Sequence, residues 1–226
     1  MKKFFSFVVA VFATIAVSAQ TYDLTEMNFT QEDLTVTDGT VTEDAKYLVV
    51  KNNEGATVTM TVKQLPDMVF SYKNSAVKTA FKVYPNKIQL DGNQRDLTFN
   101  NITPGTTITL SVASKGSTAA SFEDSESKGV ALTGCVHVSG DRVLAPKADG
   151  EEATISELTV MATAPTVIIR ETAGGYVLTK VVIGNEDTAL QNATVENKKA
   201  QKVIENGVVY IIKNGVKYNV LGAVVE

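Results

Sequence analysis

The chain of 226 residues contains no tryptophan, one cysteine and one histidine. One cysteine excludes an intramolecular disulfide framework, and Cys135 with His137 are too few ligands for a zinc site or a c-type haem attachment. Any Ser-His-Asp chemistry would depend wholly on His137, and no nucleophile-elbow sequence accompanies it. The balance of 21 Lys+Arg against 25 Asp+Glu gives a net charge of −4. That sign argues against nucleic acid as a partner, since phosphate binding needs a basic patch. No apolar run after residue 19 reaches the about 20 residues of a membrane-spanning helix, so no span is expected there. Nor does any segment of that region carry a 3.6-residue apolar period with helix caps. What remains is globular: 44% apolar and 20% charged residues, enough to bury a core.

Residues 1–19 have the pattern of a secretory signal peptide. Lys2 and Lys3 precede an almost unbroken apolar run from Phe4 to Val17, and Val17-Ser18-Ala19 supplies small residues for cleavage between Ala19 and Gln20. The expected mature chain is therefore exported, and is either secreted or held at the cell surface.

The body reads as short strands. Thr57–Val62 and Thr107–Val112 alternate polar and apolar residues with period two, which puts valine, methionine, isoleucine and leucine on one face. Further strands are expected at Lys46–Lys51, Met68–Tyr72, Ala80–Tyr84, Lys87–Leu90, Leu97–Ile102, Gly129–Val138, Ile155–Ala162, Thr166–Glu171 and Tyr176–Ile183. Turn signals such as Asp38-Gly39, Asp91-Gly92, Pro104-Gly105 and Gly174-Gly175 lie among them. Many β-branched strands with turns between them predict an all-β fold, an antiparallel β-sandwich or jelly roll over residues 20–184. Residues 113–128 and 145–153 read as exposed loops, and 185–202 as a linker.

Residues 203–226 form a separate pattern. Asn206-Gly207 and Asn214-Gly215 separate apolar, β-branched runs, and Asn-Gly favours the type I′ turn of a tight hairpin. A small C-terminal β-meander is expected. The run containing Glu205-Asn206-Gly207, Tyr210-Ile211-Ile212, Asn214-Gly215 and Tyr218-Asn219-Val220-Leu221-Gly222 resembles, in truncated form, the C-terminal sorting domains of Bacteroidota proteins exported by type IX secretion. The resemblance implies a contact between this tail and secretion machinery. A hairpin completing the sandwich is the alternative.

Phe70–Val83 with Tyr72-Lys73-Asn74-Ser75, Pro104–Leu110 and Glu171-Thr172-Ala173-Gly174-Gly175-Tyr176 together resemble β-sandwich modules of Bacteroidota polysaccharide-degrading proteins, including those attached to pectate lyases. The resemblance implies a polysaccharide, or a host or matrix surface, as partner.

Candidate sites follow from residue chemistry. Sugars stack on exposed aromatic rings, and with tryptophan absent, Tyr72 and Tyr84 near strand ends are the expected platform. Glu123, Asp124 and Glu126 cluster with Ser121 and Ser125. Hard oxygens of this kind could hold a structural calcium, although the spacing fits no EF-hand and a solvated acidic loop is the alternative. Cys135 and His137 lie two apart in an apolar strand and read as a buried thiol beside a hydrogen-bonded histidine rather than the start of a metal site. Lys115-Gly116-Ser117-Thr118 reverses the order of a P-loop and reads as a loop. Asp187-Thr188-Ala189 matches a short bacterial O-glycosylation pattern at Thr188. The sequence thus predicts an exported, non-catalytic binding module without a required cofactor. Its rivals are an adhesive protein that assembles through edge strands and an accessory subunit of a polysaccharide lyase.

Overall fold

The computed structural model describes residues 19–92, 94–148 and 150–184, and in the C-terminal part 201–205, 208–213 and 216–219. The chain divides into two units, one ending at Glu186 and one beginning at Asp187. The expected signal segment up to Ser18, Thr188 and the tail turns Asn206, Gly207, Asn214 and Gly215 lie outside the described residues.

In chain order the strands of the first unit begin with β1 (Gln20–Asp23), β2 (Leu34–Thr37), β3 (Gly39–Glu43), β4 (Leu48–Asn52), β5 (Thr57–Val62), β6 (Leu65–Lys73), β7 (Thr79–Tyr84), β8 (Lys87–Leu90) and β9 (Arg95–Phe99). They continue with β10 (Thr107–Ser114), β11 (Ala120–Ser121), β12 (Leu132–Thr133), β13 (Cys135–Gly140), β14 (Val143–Leu144), β15 (Ser156–Ala162), β16 (Val167–Arg170) and β17 (Tyr176–Ile183). Two 3-10 turns at Leu24–Glu26 and Gln31–Asp33 are the only helical elements among the described residues.

One sheet runs β13-β15-β10-β17-β8-β7-β4-β3, with β1 also paired to β17, and a second runs β12-β16-β9-β6-β5-β2. All pairings in both are antiparallel. The protein is therefore an all-β sandwich, as its alternating runs predict. The two inner faces share one core: Val58, Met60, Phe70, Leu97, Phe99 and Ile169 from the smaller sheet, and Val50, Phe81, Ile88, Leu110, Val160 and Leu178 from the larger. Phe70 and Phe81 meet edge-to-face across the gap, with ring centroids 6.0 Å apart. Truncating either fully buried ring to alanine would cost about 3–5 kcal/mol.

Three expectations need correction. Residues 113–128 are not an exposed loop throughout: β10 continues to Ser114, and Ala120 and Phe122 are fully buried. Phe122 packs edge-on against Tyr176 with centroids 5.0 Å apart, so the apolar residues flanking Ser121 pull this stretch into the core. The strand expected over 129–138 breaks at Gly134, where the chain leaves the smaller sheet as β12 and enters the larger as β13. Gly134 has φ +69°, and a Cβ there would lie 2.1 Å from the Thr166 carbonyl oxygen, so no larger residue fits this crossing. Strands β1, β2 and β3 were not expected from the sequence.

The C-terminal unit is a three-stranded antiparallel meander, β18 (Gln201–Glu205), β19 (Val208–Lys213) and β20 (Val216–Asn219), with β19 central.

Candidate functional site

Alternation along three adjacent strands of the smaller sheet builds the site. Tyr72 pairs with Arg95 across β6 and β9. Arg170 pairs with Asp96, and the next residues, Glu171 and Arg95, continue that ladder through Gln94 N–H to Glu171 C=O (2.8 Å) and Glu171 N–H to Arg95 C=O (3.2 Å). Tyr72, Arg95 and Glu171 therefore form one cross-strand row, in phase with the apolar rows Phe70-Leu97-Ile169 and Met68-Phe99-Val167. The core ends in polar side chains, all buried: Tyr72 is 6% exposed, Arg95 4% and Glu171 0%.

Arg95 spans the sandwich. Its Nε donates to the Ala80 carbonyl at 3.0 Å and its Nη2 to the Thr79 carbonyl at 2.7 Å, both on β7 of the opposite sheet. The guanidinium carbon lies 3.9 Å from the Tyr72 ring centroid, a cation–π contact that partly replaces lost hydration. Burial lowers the guanidinium pKa, opposed by Tyr72, Glu171 and Asp91, yet an arginine remains protonated in such surroundings.

Tyr72 is thus not the exposed platform expected. Its ring is occupied by Arg95, and its hydroxyl accepts a 2.6 Å hydrogen bond from Asn74 Nδ2. Its edge nevertheless lines a cleft of about 460 Å³, together with Asn74, Lys78, Asp91, Arg95 and Lys128. This volume falls in the ~300–1,000 Å³ range of small-ligand sites. The 74–78 loop that walls the cleft is fixed by Asn52, which is 1% exposed. Asn52 Nδ2 donates to the carbonyls of Asn53, Asn74 and Ala76, and its Oδ1 accepts from the Lys78 N–H.

The charges of the cleft are unequal. Asp91 is paired with Lys115, lies 3.8 Å from Lys82 and accepts from Gln89 Nε2. Burial resists ionisation of Asp91, but the Lys115 hydrogen bond and charge, with Gln89 and Lys82, outweigh it and hold its pKa below the ordinary carboxylate value. Glu171, behind Arg95, behaves oppositely. Burial pushes its pKa up to about 9 against the pull of Arg95 and Lys115, and neither carboxyl oxygen has a hydrogen-bond partner among the described residues. At neutral pH it is uncharged. Burial likewise raises the Tyr176 hydroxyl well above its ordinary pKa, and that hydroxyl has no hydrogen-bond partner among the described residues.

Tyr84 is elsewhere. It ends β7, whose first residue Thr79 borders the cleft, and five residues of strand separate the two by about 17 Å. Tyr84 is half-buried, tilted against Tyr47 with centroids 4.9 Å apart, and Lys87 Nζ sits 4.9 Å over its ring. Tyr47 lines a second cleft of about 320 Å³ with Phe29 and Pro85. The structure does not bring Tyr72 and Tyr84 together.

Glu123, Asp124 and Glu126 are exposed. Asp124 Oδ1 accepts from the Ala131 N–H at 2.9 Å and faces Arg142 Nη2 at 3.9 Å. Among the described residues no three His, Cys, Asp or Glu side chains converge into a cation site. Cys135 is buried, and burial pushes its thiol up to about 11. His137 is exposed, with Nε2 3.1 Å from the Gly140 carbonyl. Ala19 is half-buried, and β1 begins at Gln20.

The segments 72–75 and 171–176, distant in sequence, supply adjacent parts of one end of the sandwich. Sequence reading missed Asn52, Lys78, Arg95 and Lys128 as contributors. The signal was present: Arg95 and Glu171 fall in phase with buried apolar neighbours on their strands, where a charge is unexpected. No known family, curated protein or solved structure matches this chain.

Proposed function

We propose that the chain is exported and acts outside the cell as a non-catalytic module that binds a glycan in the cleft beside Tyr72. The observation that carries this reading is a concave polar site built before any ligand arrives: Asn52 fixes the 74–78 wall, and Arg95 ties the cleft floor to both sheets. Preorganised polar groups in a cleft of this size suit a hydroxyl-rich ligand, because ordering them costs little on binding. A binding role rather than catalysis is supported by His137, whose ring bonds a backbone carbonyl on an edge strand and forms no ion pair with a carboxylate among the described residues. Export is supported by Lys2-Lys3, the apolar run and Val17-Ser18-Ala19, and the tail's resemblance to sorting domains suits the same destination. A glycan-array screen of the purified chain, followed by calorimetry on the hits, tests the reading. Saturable binding that fails when Lys78 and Asn74 are replaced supports it, and an array without hits overturns it.

A second reading, assembly through an edge strand, is favoured by β13. This edge of the larger sheet exposes Val136 and Val138, with Met161 exposed on the neighbouring strand. The opposite edge, β3, carries threonines and Glu43. Apolar, uncharged edges invite pairing with another strand. Sedimentation of wild type against Val136→Lys tests this reading: a wild-type oligomer that the lysine dissolves supports it.

A further inference from the structure

We infer that the ligand of the cleft is an anionic saccharide, one whose ring carries a carboxylate or a sulfate. The inference rests on the glycan-binding reading above and adds the charge of the sugar.

Three cationic side chains, Lys78, Arg95 and Lys128, line the cleft against one carboxylate, Asp91. That carboxylate is already engaged by Lys115 and Lys82. Glu171, opposite Arg95 across the strands, does not line the cleft and is uncharged at neutral pH, so it does not neutralise Arg95. Lys78 and Lys128 form no ion pair among the described residues. The excess is local, because the whole chain has a net charge of −4. A positive cleft on a negative protein focuses an anion to that point.

The geometry divides the labour. Arg95 already spends Nε and Nη2 on backbone carbonyls, so it acts as a fixed charge under the cleft floor. Lys78 is exposed and Lys128 half-buried. Both stand on backbone held by short loop bonds: Lys78 N–H to Asn52 Oδ1 at 2.8 Å, and Lys128 N–H to the Ser125 carbonyl at 3.2 Å. Their ammonium groups are the ones able to contact the acid group, while Asn74, Thr79 and Gln94 offer hydrogen bonds to ring hydroxyls. Stacking contributes little, since the Tyr72 face is covered by Arg95. Recognition by point charges predicts affinity that falls with added salt.

The test is calorimetry of the full chain with three tetrasaccharide probes: hyaluronan, the same hyaluronan with its carboxylates reduced to alcohols, and chondroitin sulfate. The expected result is binding of hyaluronan, of chondroitin sulfate or of both, with the pair reporting whether carboxylate suffices or sulfate is needed. The reduced probe should bind at least tenfold more weakly. Lys78→Gln and Lys128→Gln should each weaken binding severalfold, and Lys63→Gln, on the turn after β5, should not. Unchanged melting curves verify that the variants fold. Measurable and equal binding of native and reduced hyaluronan overturns the charge inference and leaves the glycan reading intact. So does binding of neutral glycans on the array with none to either acidic probe. Binding unaffected by both lysine variants overturns the placement in this cleft. Failure of every glycan to bind defeats the underlying reading and the inference with it.

Discussion

Arg95 and Glu171 stand opposite each other on adjacent strands at the end of the core, yet the guanidinium bonds the facing sheet and the carboxyl bonds nothing among the described residues. Removing both groups from water costs more for the carboxylate, whose oxygens find no donor, so the proton stays on Glu171.

A pH dependence follows. The Glu171 pKa is raised from 4.5 to about 9 by burial, against Arg95 and Lys115. Below the unfolded value both states hold the proton and the group is neutral to stability. As pH rises through 4.5 the unfolded chain ionises while the folded one does not. Stability is then lost progressively until about pH 9, by up to roughly 1.4 kcal/mol per pH unit. Glu171→Gln keeps the shape and removes the titration. Urea unfolding should show the variant gaining on wild type by about 4 kcal/mol between pH 5 and pH 8. The same difference at both pH values would show that Glu171 does not change protonation on folding.

The strands of the sandwich were legible where one face of a run is buried and the other is not. Along Thr57–Val62 the residues Val58, Met60 and Val62 are buried and the threonines between them are not, and Tyr176–Ile183 buries Tyr176, Leu178, Val181 and Val182. Edge strands β2 and β3 bury nothing fully, and their alternation of leucine or valine with threonine spans only four and five residues, too short a run to stand out. The site was legible only in part. Tyr72 was identified by residue type, but its phase with Met68 and Phe70 on β6 already places it inside. The cleft itself depends on β7 of the facing sheet and the 125–129 loop, and no local pattern encodes which strands face each other.

Cys135 should be inert. Its thiol is buried and raised to about 11, so little thiolate exists at pH 8. Ellman's reagent should react with the folded protein far more slowly than with protein in guanidinium, and reductant should leave the melting temperature unchanged. Rapid labelling of the native protein would place the thiol at the surface.

Gly134 and Gly55 separate two costs of a side chain. Both have similar positive φ, +69° and +71°, but a Cβ at Gly55 meets nothing within 4 Å whereas one at Gly134 meets the Thr166 oxygen at 2.1 Å. Gly55→Ala should cost only the backbone term, about 1–2 kcal/mol. Gly134→Ala must also push apart β12, β13 and the 163–166 turn. It should lower the melting temperature by clearly more than the roughly 2–8 °C expected of Gly55→Ala. Equal shifts would mean that the crossing yields without strain.

Asn52 links stability to the site without lining the cleft. Its amide holds three carbonyls and its oxygen holds the Lys78 N–H, which together set the wall carrying Asn74 and Lys78. Asn52→Ala leaves buried backbone groups unpaired and should cost about 3 kcal/mol. Asn52→Asp should be no better, because a carboxylate would face the carbonyls of Asn53, Asn74 and Ala76 instead of donating to them. Hydrogen exchange gives the local readout. The Lys78 amide should be protected in wild type and exchange much faster in Asn52→Ala, while amides in the β10–β17 ladder lose only the protection expected from global destabilisation. Saccharide affinity should fall in the same variant, since Lys78 no longer has a fixed base. If the Lys78 amide keeps its protection, the wall is held by its own turn, where Asn74 Oδ1 accepts from the Ala76 N–H at 3.0 Å, and Asn52 contributes to the core alone.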